Sequence, residues 1–160
     1  MNDKLVSQPQ HQSRLTDPRA AAGVLPAMMA LQQVVNRCGL EPALMELVKL
    51  RASQINGCAF CIDMHFRDAK KRGEEDNRLY LLNAWREVDV YSSRERAGLA
   101  WTEALTRLSD GPVSDELFAQ VSSEFSEVEL LNLTLLIVAI NGWNRFNVGF
   151  RTPPGTVITA

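Results

Sequence analysis

A chain of 160 residues with a mass of 17.9 kDa is long enough for one domain with its own hydrophobic core. Hydrophobic residues make up 46% of the sequence and charged residues 22%, which excludes a disordered chain. The 17 basic and 19 acidic residues give a formal net charge of −2, so the composition provides no broad basic surface for nucleic acid or an anionic membrane. We therefore expect neither a nucleic-acid partner nor a membrane partner.

A polar arm precedes the helical part of the chain. Residues 1–18 are rich in Gln, Asp and Pro without sustained periodicity, which predicts a mobile N-terminal arm that can order against a neighbouring subunit. The arm lacks the apolar centre of a secretory signal. No later stretch reaches the roughly 18 to 20 apolar residues of a membrane helix. We therefore expect a cytoplasmic protein whose cysteines do not form a disulfide framework.

Residues 19–160 predict a single helical domain, because their apolar residues recur at spacings of three and four. Gly39, Pro42 and Gly73 mark helix ends and starts. Ser92 and Ser126 are each followed by Glu three residues later, which predicts capping boxes at two further helices. The predicted helices cover residues 23–38, 42–54, 58–73, 76–88, 92–108, 114–124 and 126–141. Strand alternation is absent apart from residues 156–159, so the sequence predicts an all-α fold, a compact helical bundle.

A cysteine pair followed by a histidine is the most informative part of the sequence. Cys58 and Cys61 are three residues apart, and His65 follows four residues after Cys61. In a helix, these three side chains project from one face, within reach of each other. The α-carbons of the two cysteines then lie about 5 Å apart, inside the range for a disulfide. The spacing predicts a redox-active thiol pair beside a base.

Two arguments disagree on which thiol reacts. Cys58 is nearer the N-terminus of its helix, where the partial positive charge favours a thiolate. His65 lies one turn from Cys61 and can accept its proton or pair with its thiolate. We favour Cys61 as the attacking sulfur, because a base at hydrogen-bond range outweighs a screened dipole. Cys58 then converts the sulfenic acid on Cys61 into a disulfide.

Glu46 is the candidate acid of the preceding helix. It lies among apolar residues of the segment 44–50, where burial is expected to raise the pKa of its carboxyl toward neutrality. Such a carboxyl suits a proton relay between solvent and the thiol pair. The alternative is a surface carboxylate paired with Lys49 or Lys70.

The four residues Glu46, Cys58, Cys61 and His65 form the pattern Glu-x11-Cys-x2-Cys-x3-His. This pattern resembles the signature of the alkylhydroperoxidase D-like proteins, which belong to the carboxymuconolactone decarboxylase superfamily. The strict match covers residues 46–65, and a looser likeness includes the segment 143–148. Four residue types at three fixed intervals are far more specific than a lone Cys-x-x-Cys.

The resemblance implies an all-helical fold that forms homo-oligomers, commonly trimers or hexamers. It also implies thiol-dependent reduction of hydroperoxides, with Glu46 and His65 as a proton relay for Cys58 and Cys61 and an external dithiol as reductant. We expect no metal, flavin or haem, and no Gly-rich loop indicates a nucleotide cofactor. In one departure, Phe60 occupies the place where the best-studied peroxidases carry a second His. The decarboxylase branch generally lacks the cysteine pair, which disfavours lactone decarboxylation.

Three other interpretations remain open. Cys58, Cys61, His65 and Glu46 together could supply four zinc ligands, although no second ligand pair is present in the sequence. The cysteine pair could also belong to a redox-responsive protein that changes packing or assembly without turnover, an alternative that Phe60 keeps open. A carboxymuconolactone-type decarboxylase would keep its activity after loss of both cysteines.

Overall fold

Every regular element in the computed structural model is a helix, within the described residues 12–155. The prediction of an all-α fold is confirmed for this part of the chain. The α-helices are α1 (Leu25–Val35), α2 (Pro42–Ile55), α3 (Ala59–Lys71), α4 (Asp76–Tyr80), α5 (Ser93–Thr106), α6 (Asp115–Ser122) and α7 (Glu127–Gly149). Short 3-10 helices cover Pro18–Ala21, Leu82–Glu87 and Leu108–Asp110.

Local sequence signals explain most of the helix starts. Pro42 occupies the first turn of α2, where its missing N–H costs nothing. Ser92 and Ser126 form the predicted capping boxes of α5 and α7 with Glu95 and Glu129. These starts agree with the predicted boundaries.

The predicted helix over residues 76–88 is wrong in its second half. Helix α4 ends at Tyr80, and the 3-10 segment that follows contains the non-helical residue Ala84. The guanidinium of Arg96 donates hydrogen bonds to the carbonyl oxygens of Trp85 and Val88 at 3.0 and 2.9 Å. These tertiary contacts satisfy carbonyls that a continuing helix would have used itself.

Helix α7 is longer than predicted. The apolar pattern ends at Asn141, but the helix continues to Gly149. Asn141, at the predicted end, and Asn144 and Asn147, beyond it, are all buried and hydrogen-bonded. A row of hydrogen-bonded asparagines therefore extends the buried face of α7 beyond its apolar section.

Helix α2 lies at the centre of the domain, because it packs against α3, α5 and α7. Almost the whole length of α2 is buried, including Leu47, Val48 and Leu50. One core cluster joins α1, α2, α5, α6 and α7, and a second joins α2, α3 and α5 to the segment 79–91. The helix that carries Glu46 is thus held from three sides.

The described part of the predicted arm contacts the end of α7. Arg14 donates its backbone N–H to the carbonyl of Phe150 at 2.8 Å and its guanidinium to the carbonyl of Gly149 at 2.9 Å. The rest of the predicted arm, residues 1–11, and the predicted strand-like residues 156–159 lie outside the described residues.

No single helix among residues 12–155 combines the length and apolar character needed to cross a membrane. The pair α6 and α7 meets those criteria only when taken together, and the two helices are bent by 115° relative to each other.

Candidate active site

The turn between α2 and α3 places the cysteine pair. Gly57 has a φ of +64°, a left-handed conformation that glycine adopts without strain. The backbone N–H of Cys58 then donates to the carbonyl of Ser53 at 3.0 Å. Cys58 becomes the N-cap of α3, and its Sγ accepts the backbone N–H of Cys61 at 3.3 Å. A sulfur atom thus caps the positive end of this helix.

The two thiols differ in how readily they ionise. Both are free and fully buried. Hydrogen bonding from the Cys61 side chain is the largest influence on the pKa of Cys58 and lowers it. Burial acts in the opposite direction, but the backbone N–H of Cys61 lowers the pKa further, and the result is a pKa of about 7. The same side-chain hydrogen bond, burial and the charge on Cys58 raise the pKa of Cys61. Cys58 is therefore the thiol that ionises first, which is the direction of the argument from the helix terminus.

Glu46 and His65 form a buried pair between α2 and α3. His65 Nδ1 lies 2.9 Å from Glu46 Oε2, and Lys49 Nζ lies 2.9 Å from Glu46 Oε1. Burial raises the pKa of the Glu46 carboxyl, but the hydrogen bonds and charges of His65 and Lys49 outweigh it and lower the pKa to about 2. The expected rise toward neutrality is therefore wrong, because His65 and Lys49 are both buried partners of Glu46.

The ionised Glu46 fixes the tautomer of the imidazole. A carboxylate without a proton can only accept hydrogen bonds, so Nδ1 of His65 carries the hydrogen. Nε2 is then the ring atom that can accept a proton. In residues 12–155 no hydrogen bond joins His65 to either sulfur, contrary to our expectation of a direct bond to Cys61.

His65 and Cys61 do, however, line the same cavity, which has a volume of about 540 Å³. Both residues lie in its wall, whereas Cys58 does not. The remaining wall is mainly apolar and includes Leu25, Met29, Phe60, Met64, Ile140 and Trp143. Phe60 is buried against the two cysteines, so the position that lacks a second histidine supplies an apolar surface.

Sequence analysis missed two asparagines of α7 that lie beside the sulfurs. Asn147 Nδ2 is 3.5 Å from Cys61 Sγ, and hydrogen bonding from Asn144 acts to lower the pKa of both thiols. The spacing of Asn141, Asn144 and Asn147 by three residues was the available signal, since it places all three on one face of a helix.

The four proposed zinc ligands are not brought together as one set. The described group that could hold a metal ion is Glu46, His65 and Asp68, whose ligand atoms lie within 4.8 Å of one another, and it contains neither sulfur. Lys49 binds Glu46 directly and places an ammonium charge at this group. Because Lys49 Nζ lies 2.9 Å from Glu46 Oε1, its positive charge would repel a metal ion bound to that carboxylate.

Comparison with known proteins gives consistent matches. The family described as the carboxymuconolactone decarboxylase family matches residues 22–104. The uncharacterized protein YdfG of Bacillus subtilis is 42% identical over 121 residues, which make up 76% of this chain and 82% of YdfG.

Solved structures share the fold. One from Agrobacterium tumefaciens, described as a protein of unknown function and candidate antioxidant defence protein AhpD, has a TM-score of 0.87 and 39% identity, covering 91% of this chain and 100% of that one. A debrominase has a TM-score of 0.76 and 19% identity, covering 85% of this chain and 73% of its own, which shows a common fold alone. The helical domain therefore has the AhpD-like fold, and the chain belongs to the carboxymuconolactone decarboxylase family.

Proposed function

We propose that this protein is a thiol-dependent peroxidase that reduces organic hydroperoxides. The observation that carries the proposal is the apolar cavity with Cys61 and His65 in its wall, together with Cys58 Sγ, which accepts the backbone N–H of Cys61 at 3.3 Å. An apolar wall favours the organic group of a hydroperoxide, and the sulfur of Cys61 and the imidazole of His65 provide a nucleophile and a base in the same wall.

The first step oxidises Cys61. The proton that the two cysteines share moves to Cys58, which leaves Cys61 as the thiolate at the cavity. Its sulfur attacks the terminal oxygen of the hydroperoxide, so that an S–O bond forms and the O–O bond breaks. His65 Nε2 accepts the hydroperoxide proton and returns it to the departing alkoxide, which leaves as an alcohol.

The second step closes the disulfide. The sulfur of Cys58 attacks the sulfur of Cys61, an S–S bond forms, and the S–O bond breaks. The proton of Cys58 leaves with the oxygen as hydroxide. An external dithiol then reduces the disulfide by thiol exchange, which completes a cycle that oxidises one dithiol for each hydroperoxide reduced.

This cycle needs a compartment that supplies reduced dithiols. The proposal therefore includes a cytoplasmic location, where thiol systems keep cysteines reduced. The thiol chemistry proceeds with the side chains of this chain and requires no further cofactor.

A peroxide consumption assay tests the proposal. Purified protein is supplied with cumene hydroperoxide and excess dithiothreitol, and peroxide loss is followed. Cys61→Ser is expected to reduce turnover to the uncatalysed background, because the attacking sulfur is gone. Cys58→Ser is expected to be slower than wild type, because the sulfenic acid must wait for an external thiol. The matched control Cys38→Ser removes a thiol outside the cavity and is expected to keep the wild-type rate.

Activity measurements also distinguish the peroxidase from a redox-responsive protein and from a decarboxylase. A wild-type protein that forms the disulfide but does not turn over would contradict the peroxidase and favour a redox-responsive protein. Full peroxide consumption by Cys61→Ser would also contradict the proposal. A separate assay in which Cys61→Ser decarboxylates a lactone would favour the decarboxylase, since a decarboxylase does not need the cysteine pair.

A further inference from the structure

We propose that Asn147 is a catalytic residue whose side-chain amide stabilises the negative charge on Cys61 during the attack on peroxide. Asn144 positions the same segment of α7 against the cysteine pair. The inference deepens the proposed function and, for its role in turnover, rests on it.

Asn147 makes direct contact with the reacting atom. Its Nδ2 lies 3.5 Å from Cys61 Sγ, and it also donates to the carbonyl of Trp143 at 3.0 Å. Its side chain is buried and forms part of the cavity wall. The amide therefore meets Cys61 at the place where a hydroperoxide would approach.

The other polar groups of the site are already engaged elsewhere. His65 is bound to Glu46 through Nδ1 and makes no hydrogen bond to sulfur within residues 12–155. The backbone N–H of Cys61 points to the sulfur of Cys58. Asn144 and Asn147 are the side-chain amides that act on Cys61, and Asn147 is the one whose Nδ2 has a direct contact with Sγ at 3.5 Å. An amide does not titrate, so this donor is present at every working pH.

A network of hydrogen bonds fixes this part of α7 to the turn before Cys58. Asn144 Nδ2 donates to Ser53 Oγ at 3.0 Å, and Asn144 Oδ1 accepts Asn56 Nδ2 at 2.9 Å. Asn144 is only 1% exposed. Ser53 and Asn56 lie at the end of α2, immediately before the cysteine pair. The amides are therefore held in place before substrate binds, which is what charge stabilisation in a reaction requires.

Electrostatics agree with this geometry. Hydrogen bonding from Asn144 and Asn147 lowers the pKa of Cys61, although the influence of Cys58 and of burial is larger and leaves the pKa raised overall. Removing Cys58 by substitution with Ser removes that opposing charge and isolates the effect of the amides. Ser at this position still provides an oxygen that can cap α3.

The experiment measures the pKa of Cys61 in the Cys58→Ser protein without any peroxide. The rate of alkylation by iodoacetamide is followed from pH 5 to 10, and peptide mass assigns the product to Cys61. Asn147→Leu, of nearly the same size, is expected to raise the pKa by about one unit, the effect of one lost hydrogen bond to a charged group. Asn132→Leu is the matched control on α7, since Asn132 donates to the carbonyl of Cys38 outside the cavity. This control is expected to leave the pKa of Cys61 unchanged.

A second variant, Asn147→Asp, keeps the proposal testable if Asn147→Leu fails to fold. Asn147→Asp keeps the shape of the side chain and places a carboxylate near the sulfur, so it is expected to raise the pKa of Cys61 further. An unchanged pKa in both Asn147 variants, or an equal rise in Asn132→Leu, would overturn the assignment. A rise confined to the Asn147 variants supports it even if the peroxide assay fails, because alkylation does not depend on peroxidase activity.

Discussion

At the scale of single residues, the two cysteines of the pair differ in pKa and in position relative to the cavity. Cys58 holds the charge because it caps α3 and accepts hydrogen bonds from Cys61. Cys61 keeps its proton but lies in the cavity wall. In the proposed cycle, a Cys58 of low pKa is also the better leaving thiol when the disulfide is reduced. The place in the cavity wall and the lower pKa thus belong to different members of the pair.

The low pKa of Cys58 predicts a pH dependence of stability. The folded pKa of about 7 lies below the ordinary value of 9.0. Between these values the unfolded chain holds a proton that the folded chain has released, so stability rises with pH across this window. The raised pKa of Cys61 opposes part of this gain near pH 9, where the unfolded Cys61 thiol ionises. We expect the free energy of unfolding of the reduced wild type to gain on the order of 1 kcal/mol between pH 7 and 9, relative to the Cys58→Ser/Cys61→Ser variant.

Urea unfolding of both proteins in the presence of a phosphine reductant measures this gain. The double variant is the control, because it lacks both thiols and retains every other titrating group. A difference in unfolding free energy that stays constant from pH 7 to 9 would show that Cys58 is not ionised near neutrality.

At the scale of elements, the junction between α2 and α3 decides whether Cys58 caps a helix. The left-handed Gly57 allows the chain to reverse within the few residues between Glu46's helix and the cysteine helix. An added β-carbon at this position meets no atom within 4 Å. A substitution there therefore strains the backbone without creating a steric clash.

Gly57→Ala is expected to reduce the free energy of unfolding by about 1–2 kcal/mol, because alanine disfavours the left-handed conformation. Gly57→Asn is the matched variant and is expected to cost less, since asparagine tolerates that conformation. Urea unfolding of the reduced proteins compares them. An equal cost for both substitutions would mean that backbone conformation does not determine the effect.

The elements also explain which parts of the site the sequence could predict. The spacing of Cys58, Cys61 and His65 is local, so helical periodicity was sufficient to place them on one helix. Asn147 is separated from Cys61 by 86 residues, and no local pattern specifies which buried groups meet across that distance. The pKa of Glu46 was mispredicted for two reasons. The local pair with Lys49, three residues along the same helix, was weighed only as a surface pair, whereas it is buried. The contact with His65 joins α2 to α3 and depends on tertiary packing.

At the scale of the whole molecule, α7 carries an exposed apolar stripe. Val128, Leu131 and Val138 are 68%, 65% and 55% exposed. Their spacings of three and seven place them on one face of the helix. An aligned apolar stripe of this kind marks a protein interface more than scattered apolar residues do. We therefore propose that α7 contributes to the predicted homo-oligomer.

Sedimentation velocity tests this proposal. The wild type is expected to sediment as an oligomer, and the Leu131→Lys/Val138→Lys variant is expected to shift toward monomer, because charges replace the apolar contact. Tyr80→Lys is the control, since Tyr80 is an equally exposed aromatic residue on α4. A monomeric wild type at tens of micromolar, or a double variant that keeps the wild-type assembly, would contradict the proposal.

The most direct test of the catalytic account is the mass of the protein after one equivalent of cumene hydroperoxide, without added reductant. The account predicts the loss of two hydrogens and a peptide in which Cys58 is linked to Cys61, with Cys38 still free. In Cys58→Ser, one oxygen should remain on Cys61 as sulfenic acid. An unchanged wild-type mass, or an oxygen on Cys58 in the Cys61→Ser protein at the wild-type rate, would contradict the account.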